Sequence, residues 1–192
     1  MIKTHRRTFL LSVLACAIAT AGCSSSPRPR YPLNPITGTG TKTRVSARTV
    51  EMRRVSLPSY AAGPGILSGG TTGALVPTAG EWADDPDRAI TAALAAGVEA
   101  RSTARTSTEP WPLSDPPDAR VEVRFDQLVA RADGVFVLAG QIAVSSPNGQ
   151  VRDTLKRVSL TVPITGTDPQ AIASAQSSAL ALLADEIIAA LR

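Results

Sequence analysis

The chain has 192 residues with 20 basic and 16 acidic side chains and 43% apolar content, enough for one domain with a core of its own. Aromatic residues reach only 4%, too few for a base-stacking platform, so nucleic acid is not an expected partner. The single histidine and both cysteines (His5, Cys16, Cys23) fall within the first 23 residues, so cleavage before Cys23 removes the imidazole and Cys16, and acylation of Cys23 would leave no free thiol. Ser-His-Asp and Cys-His chemistry and imidazole- or thiolate-bound zinc are then excluded.

That stretch reads as an export signal. Met1 to Arg7 carries Lys3, Arg6 and Arg7 and no acid. Thr8 to Ala19 is apolar and uncharged, and shorter than the ~20 residues of a spanning helix. Small residues lead to Thr20-Ala21-Gly22-Cys23, which resembles the lipobox of bacterial lipoproteins. The resemblance makes Cys23 the acylated first residue, residues 1–22 the signal peptide, and Cys16, after Val13-Leu14-Ala15, a rival site. Arg6-Arg7-Thr8-Phe9-Leu10 also resembles a twin-arginine signal, so two export routes stay open. Ser24 after the cysteine, in place of aspartate, implies sorting to the outer membrane.

Three basic residues and no acids precede Cys23, which leaves seventeen basic against sixteen acidic residues in the mature chain. The charge is uneven. Arg28, Arg30, Lys42, Arg44, Arg48, Arg53 and Arg54 are accompanied only by Glu51. Such a segment beside an anchor either lies on anionic headgroups or is a solvated tether leading to an edge strand. Residues 23–40, rich in serine and proline, read as the lipidated tether, and residues 41–192 as a single domain.

In that domain Thr43 to Leu57 alternates and predicts a strand ending at Pro58. Ala61 to Gly80, rich in glycine, threonine and alanine, predicts a mobile excursion with at most one weak strand. A helix is expected from Asp85, its aspartates accepting first-turn N–H groups and Pro86 in the first helical position, stopping near Gly97. Arg101 to Pro117 carries four prolines and reads as a loop with at most one short strand. Val121, Val123 and Phe125 alternate with Glu122, Arg124 and Asp126, which predicts a half-buried strand. Asp133-Gly134 turns into Val135 to Ser145, an apolar run expected to be buried on both faces. Pro147-Asn148-Gly149 turns into Val151 to Ile164. Asp168 is expected to cap a helix through Ala190 whose stripe is Ile172, Ala175, Ala179, Leu182, Leu183, Ile187 and Leu191. The sum is an α+β two-layer sandwich: a mostly antiparallel sheet with a C-terminal three-strand meander, and two helices packed on one face.

Four short stretches fall in an informative order: Tyr31-Pro32-Leu33, Val55-Ser56-Leu57-Pro58-Ser59-Tyr60, Glu81-Trp82-Ala83-Asp84-Asp85-Pro86-Asp87-Arg88-Ala89-Ile90 and Pro110-Trp111-Pro112. With the lipobox before them and the meander and helix behind, they resemble the PqiC-like lipoproteins, auxiliary components of ABC-type and MCE lipid-transport systems. The resemblance implies a non-catalytic lipoprotein without cofactor or metal, anchored by its acyl chains in the outer membrane and facing the periplasm. It implies docking on an MCE-domain protein and the ABC permease complex of the inner membrane, and self-association in a homo-oligomeric ring. Tyr60, Trp82 and Trp111 are the candidate partner contacts. Against that, the two tryptophans read more often as seals at a core edge, and Tyr60 reads equally as packing under the glycine-rich stretch. Asp84, Asp85 and Asp87 lack calcium-loop spacing and read as helix-start residues. A structural or assembly lipoprotein of another envelope complex is the alternative. A carboxylate hydrolase would need two acids facing one cleft.

Overall fold

The computed structural model describes residues 27–38 and 40–192. Its elements are β1 (Arg30–Tyr31), β2 (Thr49–Met52), β3 (Gly65–Gly69), β4 (Leu75–Trp82), α1 (Pro86–Arg101), β5 (Arg105–Thr108), β6 (Ala119–Ala130), β7 (Val135–Ser145), β8 (Thr154–Pro163) and α2 (Pro169–Ala190). Among the described residues, the elements and the buried core lie at or after Arg30.

The expected class is present: an α+β domain with a C-terminal meander and two helices. β6, β7 and β8 form the meander as two long antiparallel ladders. The eight-stranded sheet is mixed, because the earlier strands join differently. β2 lies parallel to the start of β6 and to β5, β3 meets the end of β6 through Ser68 and Ala130, and β1 lies parallel to β4. The long strand β6 is therefore the axis to which two separate N-terminal segments attach.

Alternation in β6 sends Val121, Val123 and Phe125 inward, each 6% exposed or less. A bulge between Phe125 and Gln127 then advances the phase, so that Leu128 and Ala130 are buried and Gln127 is exposed. Opposite the bulge stands Gly140, where a Cβ would come 2.2 Å from the Arg124 carbonyl oxygen. On β7, Phe136, Leu138, Ile142 and Val144 are buried toward the helices, while on the other face Val137 is buried but Ala139, Gln141 and Ala143 are only half-buried. The expectation of full burial on both faces is corrected by the layering, because the helices cover one face.

Ala61 to Gly80 departs from expectation as well. It contains the antiparallel hairpin β3–β4, closed by Gly70 N–H to the Ala74 carbonyl at 2.7 Å, with Gly73 at φ 81. Its small residues hide the apolar alternation, but backbone hydrogen bonds need no side-chain signal. Thr43 to Leu57 is strand only at Thr49–Met52, with isolated bridges from Thr43 to Ser102 and Ser56 to Arg124. The short strand allowed for in Arg101 to Pro117 is β5.

α1 runs on to Arg101, through Gly97, because that glycine is the seat of Ile36: a Cβ there would lie 2.8 Å from Ile36 Cγ2. Asp85 stands at its N-cap without a side-chain cap bond. Asp87 Oδ1 accepts from the Arg88 N–H and Asp84 Oδ1 from the Asp85 N–H instead. Asp168 does cap α2, Oδ1 accepting from the Ala171 N–H at 2.7 Å. Of the expected stripe only Leu182 departs, at 44% exposed. α2 is long and apolar enough to cross a membrane by length and composition, but 67% of its most apolar window is buried in the domain. It is the core helix.

Part of the expected tether belongs to the fold. Tyr31 pairs with Trp82 across β1 and β4, the Asn34 N–H donates to Ser177 Oγ at 2.9 Å, and Ile36 is 6% exposed. The basic residues nearby are largely matched: Arg28 and Arg30 approach Glu81, Arg48 pairs with Asp118, Arg53 with Glu109, and Arg54 with Asp87.

Candidate functional site

The first and third sequence motifs meet in space. β1 places Tyr31 beside Trp82 at the end of β4, held by the Ala83 N–H to the Tyr31 carbonyl at 3.0 Å and the Trp82 N–H to the Pro64 carbonyl at 2.7 Å. Gly80 makes room, since a Cβ there would lie 2.7 Å from Tyr31 Cε2. Pro32 to Pro35 then cross over α2, fixed by the Asn34–Ser177 bond, while Ser177 Oγ donates back to the Ala173 carbonyl. Between this segment and the first half of α1 lies a groove of about 260 Å³. Tyr31, Leu33, Trp82, Pro86, Ala89 and Ala93 form much of its wall, and Gln176 of α2 lies against it.

Trp82, Pro86 and Gln176 also border a smaller hollow shared with Tyr60. Tyr60 follows Pro58 in a short 3-10 turn, and its hydroxyl accepts from the Leu128 N–H at 3.1 Å, just past the bulge of β6. Both readings of Tyr60 thus have a physical basis: it is tied to the sheet and it lines a hollow beside the β3–β4 hairpin.

Trp111 lies elsewhere. Its Nε1 donates to the Asp115 carbonyl at 2.7 Å, and it borders a wider cleft of about 790 Å³ with Glu51, Arg53, Arg54, Arg88 and Glu109. The arginines there are matched by Glu109, Asp87 and Asp84, and Glu51, buried at 5% exposed, holds Arg120 at 2.8 Å. Asp84 and Asp87 are thereby committed to arginine as well as to the helix start. Among the described residues no three metal-ligating side chains cluster. Cys23 lies outside the described residues.

Two features went unread in the sequence. Asp118 is 4% exposed, and its carboxylate accepts from the Arg48 and Thr49 N–H groups and the Asn148 side-chain amide. Burial pushes its pKa up, but the Asn148 bond, the two backbone bonds and the Arg48 charge outweigh this and hold the carboxyl below its ordinary value. These partners are some 30 and 70 residues away, so no local pattern announces them. Gln176 had a legible signal: it stands four residues after Ile172 and three before Ala179, on the buried side of α2.

The architecture is thus that of an α+β domain whose aromatic residues rim an apolar groove directly after an N-terminal lead. The model of the ABC-type transport auxiliary lipoprotein component family matches residues 31–188, and the chain belongs to that family. The match starts at Tyr31, the first residue of the groove, and takes in every later strand and helix almost to the end of α2. The family is one of lipoproteins, which implies anchoring in the cell envelope. No curated protein matches the sequence significantly. Two crystal structures share the fold. An uncharacterised protein superposes with a TM-score of 0.69 at 16% identity, over 85% of this chain and 98% of its own. The protein XCC0632 from Xanthomonas campestris superposes with 0.65 at 16% identity, over 82% of this chain and 91% of its own.

Proposed function

We propose that this lipoprotein is acylated at Cys23, held in the outer membrane facing the periplasm, and serves as a non-catalytic auxiliary component of an ABC/MCE intermembrane lipid-transport system. Its partners in this reading are an MCE-domain protein and the ABC permease complex of the inner membrane. The observation that carries it is the convergence of Tyr31-Pro32-Leu33 and the Trp82 to Ala89 motif on one groove, in a chain of the transport auxiliary family. Tyr31 stands eight residues after Cys23, at most about 28 Å of extended chain, so the groove works close to the membrane surface.

Trp82 and Tyr60 share one hollow and form one partner contact; Trp111, in the arginine cleft, forms a second. Half-buried tryptophan and tyrosine are the residues that dominate binding interfaces. Self-association in a ring accompanies docking, so that several copies surround one conduit.

The test is a pull-down from solubilised envelopes with a C-terminal tag, comparing wild type with Cys23→Ala exported behind a cleavable signal. An MCE-domain protein or its permease is recovered with wild type and weakened without the anchor. Light scattering on the purified lipoprotein reads the ring. Wild type with its anchor confirmed by mass, yet recovered without either partner, would leave a structural or assembly lipoprotein of another envelope complex as the reading.

A further inference from the structure

The β3–β4 hairpin has a place in the fold that partner docking does not use. β3 runs parallel to β6 and meets it at Ser68 and Ala130, the last residue of that strand, so the hairpin continues past the end of β6. Gly69 seats it on the β6–β7 turn, since a Cβ there would lie 2.9 Å from the Ala132 nitrogen and 3.1 Å from the Ala130 carbonyl oxygen. The tip from Thr71 to Ala74 is exposed, and Val76 just behind it is 46% exposed. Val55 to Gly80, which contains the whole hairpin, is the longest run without charge in the chain. The charges beside the tip cancel: Arg131 pairs with Asp133 at 2.8 Å, and Asp126 with Arg157 at 3.0 Å.

We propose that this tip rests in the headgroup–acyl boundary of the bilayer that holds the anchor, with Ala74, Leu75, Val76 and Pro77 as the inserted residues; the proposal rests on acylation of Cys23. Chain direction argues for it. β1 runs parallel to β4, so the chain enters β1 from the side of the hairpin tip, and the Pro29 carbonyl still accepts from the Glu81 N–H at 2.9 Å. Length agrees with direction. Arg30 stands opposite Glu81; Cys23 is seven residues before Arg30, and Ala74 is seven before Glu81. Each span is at most about 25 Å of extended chain, so an anchor at Cys23 reaches the level of the tip. Chemistry selects the occupant. An apolar tip gains on leaving water and carries no ion to desolvate. Pro77, which has no N–H, blunts the edge of β4 against an added peptide strand. So small a tip does not hold a membrane by itself, and the acyl anchor is the first of the two signals that stable attachment needs.

The test uses the full mature lipoprotein in phosphatidylcholine vesicles, with acylation read by mass. Cys23 is acylated and Cys16 leaves with the signal, so Thr72→Cys supplies the one free thiol for an environment-sensitive nitrobenzoxadiazole label. Leu155→Cys is the control, 69% exposed and opposite Ala143, toward the other end of the β7–β8 ladder. The label at Thr72 shifts to the blue and is quenched by nitroxide-bearing lipid, while the label at Leu155 emits as in water. Val76→Asp, read by the Thr72 label, lowers the membrane-contacting population at least about threefold, the worth of half a valine burial. Val76→Ser serves if that variant melts early. Adding phosphatidylglycerol leaves the Thr72 signal unchanged; a signal that appears only with anionic lipid assigns the contact to basic residues and overturns the proposal. An acylated protein whose Thr72 label stays in water, or in which neither Val76 variant changes the signal, overturns it and leaves the anchor standing. A mass without acyl chains overturns the anchor and the proposal together.

Discussion

Gly140→Ala tests the mechanism by which the sheet is held in register. The new methyl would lie 2.2 Å from the Arg124 carbonyl oxygen, 2.9 Å from Phe125 Cα and 3.1 Å from the Arg124 carbonyl carbon. The closest approach is more than about 1 Å short of ordinary contact, and all three atoms are backbone, so no rotamer change relieves it. The β6–β7 ladder must open around the Phe125–Gln127 bulge, the place where β6 changes phase to bury Leu128. Overpacking of this kind costs about 1–3 kcal/mol, and rigid neighbours put it at the upper end. Alanine restricts the unfolded chain and returns about 0.4–1 kcal/mol. The net loss is about 2 kcal/mol, a fall in melting temperature of about 4–8 °C for a domain of this size. Gly63→Ala is the control: a Cβ there meets nothing within 4 Å, and its melt should match wild type or rise slightly. Circular dichroism melts of the two variants decide the matter. If Gly140→Ala melts within about 1 °C of wild type, the strands part freely and the steric account of the bulge is wrong.

Asp118 makes stability depend on acid. Its folded pKa is depressed, so its contribution is complete above the unfolded value of 3.8 and is lost as pH falls through the lower folded value. Urea midpoints between about pH 7 and pH 3 should show wild type ahead of Asp118→Asn at neutrality and the gap closing in acid; a constant gap would mean that geometry, not charge, is at stake. Asp168→Ala removes the α2 cap and should cost about 1 kcal/mol, with Asp168→Asn retaining most of it. Equal melts for those two variants would deny the cap its role. Tyr60→Phe deletes the acceptor of the Leu128 N–H and should cost about 0.5–1.5 kcal/mol while leaving the 3-10 turn in place, read by denaturant midpoint and amide exchange at Leu128.

Local rules carried much of this molecule. Alternation of Val121, Val123 and Phe125, the turns at Gly134 and Gly149, and Asp168 ahead of an apolar stripe specify the meander and the closing helix, because each depends on neighbours a few residues away. The aromatic motifs were legible as candidates, and Tyr60 and Trp82 do share a hollow while Trp111 stands in another cleft. What only the tertiary structure decided rests on contacts between distant segments. The β3–β4 hairpin is written in small residues whose backbone pairs without a side-chain pattern, and β2 and β3 find the same edge of β6 only in three dimensions. The bulge that reverses β6 is set by Gly140 across the ladder. Asp118 gathers donors from residues 48, 49 and 148. The groove exists because residues 31–35, α1 and α2 converge, and that convergence places Gln176, a polar interruption in a helix stripe, beside a mostly apolar wall.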